Sequence, residues 1–128
     1  VDADQFIIND GGTMKQTAMS DLKSYMSDVA MDVATPADGE SFSIGMNVVA
    51  DMGSDGTDTI TLPASAASLI GKRIMIKAPS DCSAARSLLV NTQAVDQKID
   101  GNLNSIRLES PHAAVTLVYV AADQWKVF

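Results

Sequence analysis

Aromatic side chains are scarce: Phe, Tyr and Trp make up 5% of the 128 residues, so the interior must rest on Val, Ile, Leu, Ala and Met. A core that thin favours stability gained from partners, and oligomerisation follows as an expectation from composition alone. Cysteine is reduced to Cys82, which excludes an intrachain disulfide and, with no His or second Cys nearby in sequence, points away from thiol or metal chemistry. No apolar run reaches the length of a membrane span. No basic stretch precedes an apolar one, so no signal peptide is visible. Basic residues are also few. The net charge is −7, and residues 1–58 carry 11 acidic and 2 basic side chains while residues 59–128 carry 5 and 7. Nucleic-acid binding needs clustered Lys and Arg. The one local basic group, Lys72, Arg73 and Lys77, reads as the solvated side of a strand.

Two kinds of pattern are present. QFII (5–8) is a short strand, and Asn9-Asp10-Gly11-Gly12 a turn. Thr13 and Gln16 then have capping-box spacing, with Thr17 a second N-cap candidate. Ala18, Met19, Leu22, Tyr25 and Met26 recur at three- and four-residue intervals, predicting one amphipathic helix of about ten residues, marginal in isolation, whose apolar face must dock on something. Residues 27–40 are small, acidic and broken by Pro and Gly, and read as a linker.

From residue 41 the period changes to two. SFSIGMNVVA (41–50) places Phe42, Ile44, Met46 and Val48 on one face. TITLP (59–63), KRIMIKA (72–78), SLLV (87–90), QKID (97–100), SIRLE (105–109), AVTLVYV (114–120) and QWKVF (124–128) follow, the last two joined by Ala121-Ala122-Asp123. Spacings near ten residues predict a mainly β fold: a short N-terminal helix, then an antiparallel β-sandwich or barrel of about eight strands. The expected division is an arm and linker over 1–40 and a β-sandwich domain over 41–128.

Chemistry has little to work with. Asp51, Asp55 and Asp58 cluster in DMGSDGTD, but their spacing is not that of an EF-hand and an acidic hairpin turn is the simpler reading. His112, the single histidine, follows Ser110 by two residues, yet a Ser–His pair also needs an orienting carboxylate and an oxyanion site. Gly11-Gly12 lacks phosphate-loop spacing. A glycosidase needs paired carboxylates in a cleft, and nothing in the sequence pairs them. Trp125 reads as core. No catalytic residue, metal or cofactor is expected.

The segments TITLPASAASLIGKRIMIKAPSD (59–81) and QKIDGNLNSIRLESPHAAVTLVYVAADQWKVF (97–128) resemble the small β modules of tailed-bacteriophage tail fibres and related virion appendages. In that pattern a strand ends in Leu-Pro plus small residues and a Gly precedes a Lys-bearing strand. An Ile-Asp-Gly turn follows, and a Val-x-Leu strand pairs with a final Trp-x-Val strand. The matching positions are Leu62, Pro63, Gly71, Ile76, Lys77, Ile99, Asp100 and Gly101, then Leu108, Val115, Leu117, Trp125 and Val127. The opening DADQFIINDGGTMKQTAMSDLKSYMS (2–27) is similar to a strand–turn–helix segment recurrent in phage structural proteins. SDCSAARSLLVNTQAVDQ (80–97) departs from the family's Gly-rich hairpin, and SPHAAV from its more polar turn.

The resemblance implies a non-enzymatic virion structural protein, a tail-fibre or head/tail appendage module working as a homotrimer beside capsid or tail proteins. Its alternatives are a capsid decoration protein and a tip that binds a receptor or host surface glycan. Under this resemblance the expected subunit or module interface is the helix face of Met19, Leu22, Tyr25 and Met26.

Overall fold

The computed structural model describes residues 5–10, 13–18, 32–54 and 56–128. The chain divides into two compact units, Val1–Met31 and Asp32–Phe128.

In the first unit, β1 (Gln5–Asp10) and β2 (Thr13–Ala18) form an antiparallel hairpin whose register runs from Gln5 opposite Ala18 to Asp10 opposite Thr13. That register corrects the capping-box reading of Thr13 and Gln16, while the expected helix beyond Ala18 lies outside the described residues. Thr13, Gln16 and Thr17 pair with Asp10, Ile7 and Phe6, and Ala18 closes the strand instead of opening a helical face. The ladder satisfies the backbone groups a capping box would have served, and β-branched Thr13 and Thr17 suit an extended chain. Met19, Leu22, Tyr25 and Met26 lie outside the described residues.

The second unit holds β3 (Val33–Ala34), β4 (Gly45–Val48), β5 (Thr57–Thr61) and, after a 3₁₀ turn over Ala67–Leu69, β6 (Arg73–Lys77). These are followed by β7 (Ser87–Asn91), β8 (Lys98–Ile99), β9 (Ser105–Leu108), β10 (Ala114–Ala121) and β11 (Gln124–Val127). One sheet has the order β3-β4-β6-β10-β11-β8, the other β5-β7-β9.

The fold is mainly β, as expected, but it is not an antiparallel array, and no closed barrel forms among the described residues. β3 and β4, β4 and β6, β8 and β11, and β5 and β7 pair in parallel. The cause is visible in the chain path. From β4 to β10, successive strands alternate between the two sheets. The first two returns are parallel, β6 beside β4 and β7 beside β5, whereas β9 returns antiparallel to β7 and β10 antiparallel to β6. Hairpin pairing appears at β10–β11, where Ala122 and Asp123 make a two-residue connection and Asp123 adopts φ 57°, a conformation Asp tolerates.

Side chains from both sheets meet in one core that includes Ile60, Ile74, Leu88, Leu117, Tyr119 and Trp125. The β5 edge is covered rather than open. Residues 38–42 run alongside it, with Gly39 N–H donating to Thr59 C=O (2.9 Å), Thr61 N–H to Glu40 C=O (3.0 Å) and Phe42 N–H to Thr61 C=O (2.8 Å).

A second correction falls on residues 41–50. Phe42 is buried, but Met46 and Val48 do not share its face: Gly45 and Asn47 point inward and Val48 outward. Gly45 has φ 105°, which only glycine adopts without strain, and this shifts the alternation by one residue. The buried amide of Asn47 is well supplied. It accepts Ser43 N–H (2.9 Å) and donates to the carbonyls of Ser43 (2.8 Å) and Gly45 (3.3 Å).

Candidate assembly surface

The consequence of the shift at Gly45 is that the six-stranded sheet is apolar on both faces. Its inner face carries Ile74, Ile76, Leu117 and Trp125. On its outer face the strand registers align Val33, Met46, Met75 and Thr116 in one cross-strand row. Phe128 continues that row, its N–H donating to Thr116 C=O at 2.9 Å. Val33 is 59% exposed, Val48 40%, Met75 37% and Phe128 77%. Met46, Val48, Met75, Ala114 and Thr116 line a shallow groove of about 300 Å³ whose accessible wall is almost wholly apolar.

The charges of this sheet are of one sign. None of its six strands contains Asp or Glu, whereas Arg73, Lys77, Lys98 and Lys126 all lie in it. Arg73 and Lys126 flank Val118 from the neighbouring strands. Lys77 sits opposite Val48 and Ala114, its Nζ donating to His112 C=O at 2.5 Å. In a chain of net charge −7, this is a local reversal of sign.

Acidic residues border the sheet from its loops, among them Asp32 just before β3, with its C=O accepting Met46 N–H (3.0 Å), and Asp100, with its Oδ1 on Val127 N–H (3.2 Å); a denser acidic group lies elsewhere. Exposed Asp38 and Asp51 border a recess with Thr35, Pro36, Ala37 and Ala50, and Asp58 forms part of its wall. Asp58 is buried and accepts Gly53 N–H (2.8 Å); Asp38 accepts Thr59 N–H (2.6 Å). Both carboxylates thus serve the backbone, and Asp55 lies outside the described residues. Among the described residues, no three acidic, His or Cys side chains come together as metal ligands. His112 is an exposed turn residue with φ 57°, its N–H donating to Pro79 C=O (3.1 Å). Cys82 is buried, with Sγ 3.2 Å from Leu108 C=O.

The residues that carry the family resemblance form a structural set. Leu62, Ile76, Ile99, Leu117 and Trp125 are buried, and Leu108 and Val115 pack partly against the core. Pro63 C=O accepts the side-chain amide of buried Gln97 (2.9 Å). Gly71, at φ 83°, donates its N–H to Tyr119 C=O (2.8 Å) just before β6. Asp100 and Gly101 adopt φ 51° and 93°, the paired left-handed geometry of a tight primed turn. Asp100 fastens that turn to β11: its N–H donates to Trp125 C=O (2.9 Å), and its Oδ1 accepts Val127 N–H (3.2 Å). Val127 departs from the core group, being 37% exposed at the sheet margin.

Period two in 41–50 hides the outer row, because it places Met46 and Val48 on the face of Phe42. The signal was present in RIMIK, where Met75 stands among the outward residues of β6, and in AVTLVYV, which is apolar on both faces.

No family model matches the chain, and a search of curated proteins finds no match.

Proposed function

We propose that the chain is a non-enzymatic virion structural protein, a tail-fibre or head/tail appendage module of a tailed bacteriophage that works by assembling with copies of itself. The observation that carries the assembly part of this reading is the outer face of the six-stranded sheet, where Val33, Met46, Met75 and Phe128 form an apolar row without one carboxylate in the strands that bear it. Contiguous exposed apolar patches of a few hundred Å² are often functional. The phage assignment, and three as the number of copies, rest on the Leu62-Pro63, Ile99-Asp100-Gly101 and Trp125-x-Val127 resemblance.

A capsid decoration protein is the second reading, and the same surface favours it, since an exposed apolar sheet face suits seating on a shell. A glycan-binding tip gains no such support: Tyr119 and Trp125, which would stack on sugars, are in the core.

The test is the mass of the purified chain in solution, followed by antibody localisation on assembled particles. The expected result is a three-chain mass and labelling of fibres or appendages. Labelling spread over the head selects decoration, and a monomer at every concentration, with unlabelled particles, overturns the proposal.

A further inference from the structure

We propose that the outer face of the six-stranded sheet receives the acidic recess at Asp38 and Asp51 of a second copy, so that copies associate head to tail. This rests on the assembly reading above and specifies its contact.

Size sets the first condition. The row from Val33 to Phe128 crosses five strands, so the face measures about 19 Å by 16 Å, roughly 300 Å². A stable contact covers about 800 Å² on each partner. The apolar row is therefore the dry centre of a larger contact, and the charged margins at Arg73, Lys77 and Lys126 must belong to it.

Charge sets the second. Two copies meeting through the same face would crowd these cations together with no carboxylate in any strand of that sheet to offset them. Like charges juxtaposed in an interface cost several kcal/mol. A self-complementary, two-fold contact is disfavoured on that ground. The complement exists on the same chain: Asp38 and Asp51 are exposed at a recess whose other walls include Pro36, Ala37 and Ala50. The recess offers apolar carbon and negative charge where the sheet face offers apolar carbon and positive charge. A contact between two different patches repeats from copy to copy and closes into a ring when its rotation allows. A cyclic trimer has this form.

The experiment uses the full chain in sedimentation velocity and light scattering, with circular dichroism and thermal melts to verify folding. Met75→Glu puts a carboxylate in the centre of the row at an exposed position. Arg73→Glu with Lys126→Glu reverses one side of the contact, and Asp51→Lys reverses the other. Each is expected to weaken association by about tenfold or more while the melt stays near wild type. Combining Arg73→Glu, Lys126→Glu and Asp51→Lys in one chain is expected to restore it.

Failure of that restoration, with the separate variants weakened, overturns the head-to-tail pairing in favour of another occupant of the face. A wild-type oligomer that Met75→Glu and the charge variants leave intact overturns the surface assignment and spares the assembly reading. A wild-type monomer at every concentration overturns both.

Discussion

Tyr119 and Trp125 stand directly opposite each other on β10 and β11, edge to face, with ring centroids 5.0 Å apart. Their polar atoms fare differently. Tyr119 Oη accepts Asp123 N–H at 2.8 Å and so ties the core to the β10–β11 turn, whereas Trp125 Nε1 is buried with no partner among the described residues. An unpaired buried donor contributes nothing to stability, so the value of Trp125 lies in its volume and its contact with Tyr119. Trp125→Ala is expected to cost about 3–5 kcal/mol. Trp125→Phe, which removes the orphaned donor together with part of the ring, is expected to cost about 1–2 kcal/mol. Urea unfolding of the two variants checks the gap between them; equal losses would mean that the indole N–H matters.

Asn47 presents the opposite case, a buried amide with every polar atom used. Replacing it with Leu keeps the volume similar but leaves Ser43 N–H and the Ser43 carbonyl without the amide that satisfies them. Ser43 is exposed, so water recovers part of that loss, while the Asn47 bond to Gly45 C=O is buried; a stranded buried group costs about 1–3 kcal/mol. Asn47→Leu is therefore expected to destabilise by about 2–4 kcal/mol although it adds apolar surface. A variant as stable as wild type in urea titration would show that the 43–47 segment simply opens to water.

Much of the fold was legible in the sequence. The alternation of Ile74 and Ile76 against Arg73, Met75 and Lys77, the turn at Ala121-Ala122-Asp123 and the burial of Trp125 all follow from period two and turn chemistry. Pairing was not legible. Strand spacing near ten residues fits hairpins and sheet-to-sheet crossings equally, and no residue of β4 or β6 encodes that β5 between them belongs to the other sheet. Thr13 and Gln16 have helix-capping spacing, but that spacing is also met within a Thr-bearing strand, and the hairpin with Gln5–Asp10 decides the outcome. The assembly surface was hidden by Gly45. Period counting runs through a glycine without registering that its φ changes sign, and so puts Met46 and Val48 on the face of Phe42, opposite to where they lie.

Arg86 fastens the loop between β4 and β5. Its NH2 group donates to the carbonyls of Met52 and Gly53, and its Nε to Gly53 C=O at 3.2 Å. Asp81 pairs with its NH1 at 3.2 Å and accepts Met52 N–H with both carboxylate oxygens. The ion pair is more than a third exposed on the Arg side, so screening leaves it a small part of the effect, and the fork of hydrogen bonds to backbone dominates. Lysine keeps the charge but not the fork. Arg86→Lys is thus expected to lower global stability by about 1 kcal/mol while raising amide hydrogen exchange locally around Met52 and Gly53. Uniform exchange changes across the domain, or none near Met52, would contradict the clamp.

Gly45 offers the sharpest link between one backbone angle and the proposed surface. At φ 105° a side chain is strained, and the turn out of Phe42 into β4 depends on that angle. Gly45→Ala has two ways out. It can retain the turn at a cost of about 1–3 kcal/mol, or it can relax φ to negative values and slip the phase of β4, turning Met46 inward and Asn47 outward. The Asn47 hydrogen bonds oppose the slip, so the first outcome is expected: a lower melting temperature, an unchanged outer row and unchanged self-association. Loss of association with little loss of stability would reveal the slip instead, and would tie the surface to Gly45 directly. Melting curves and sedimentation on the same preparation separate the two.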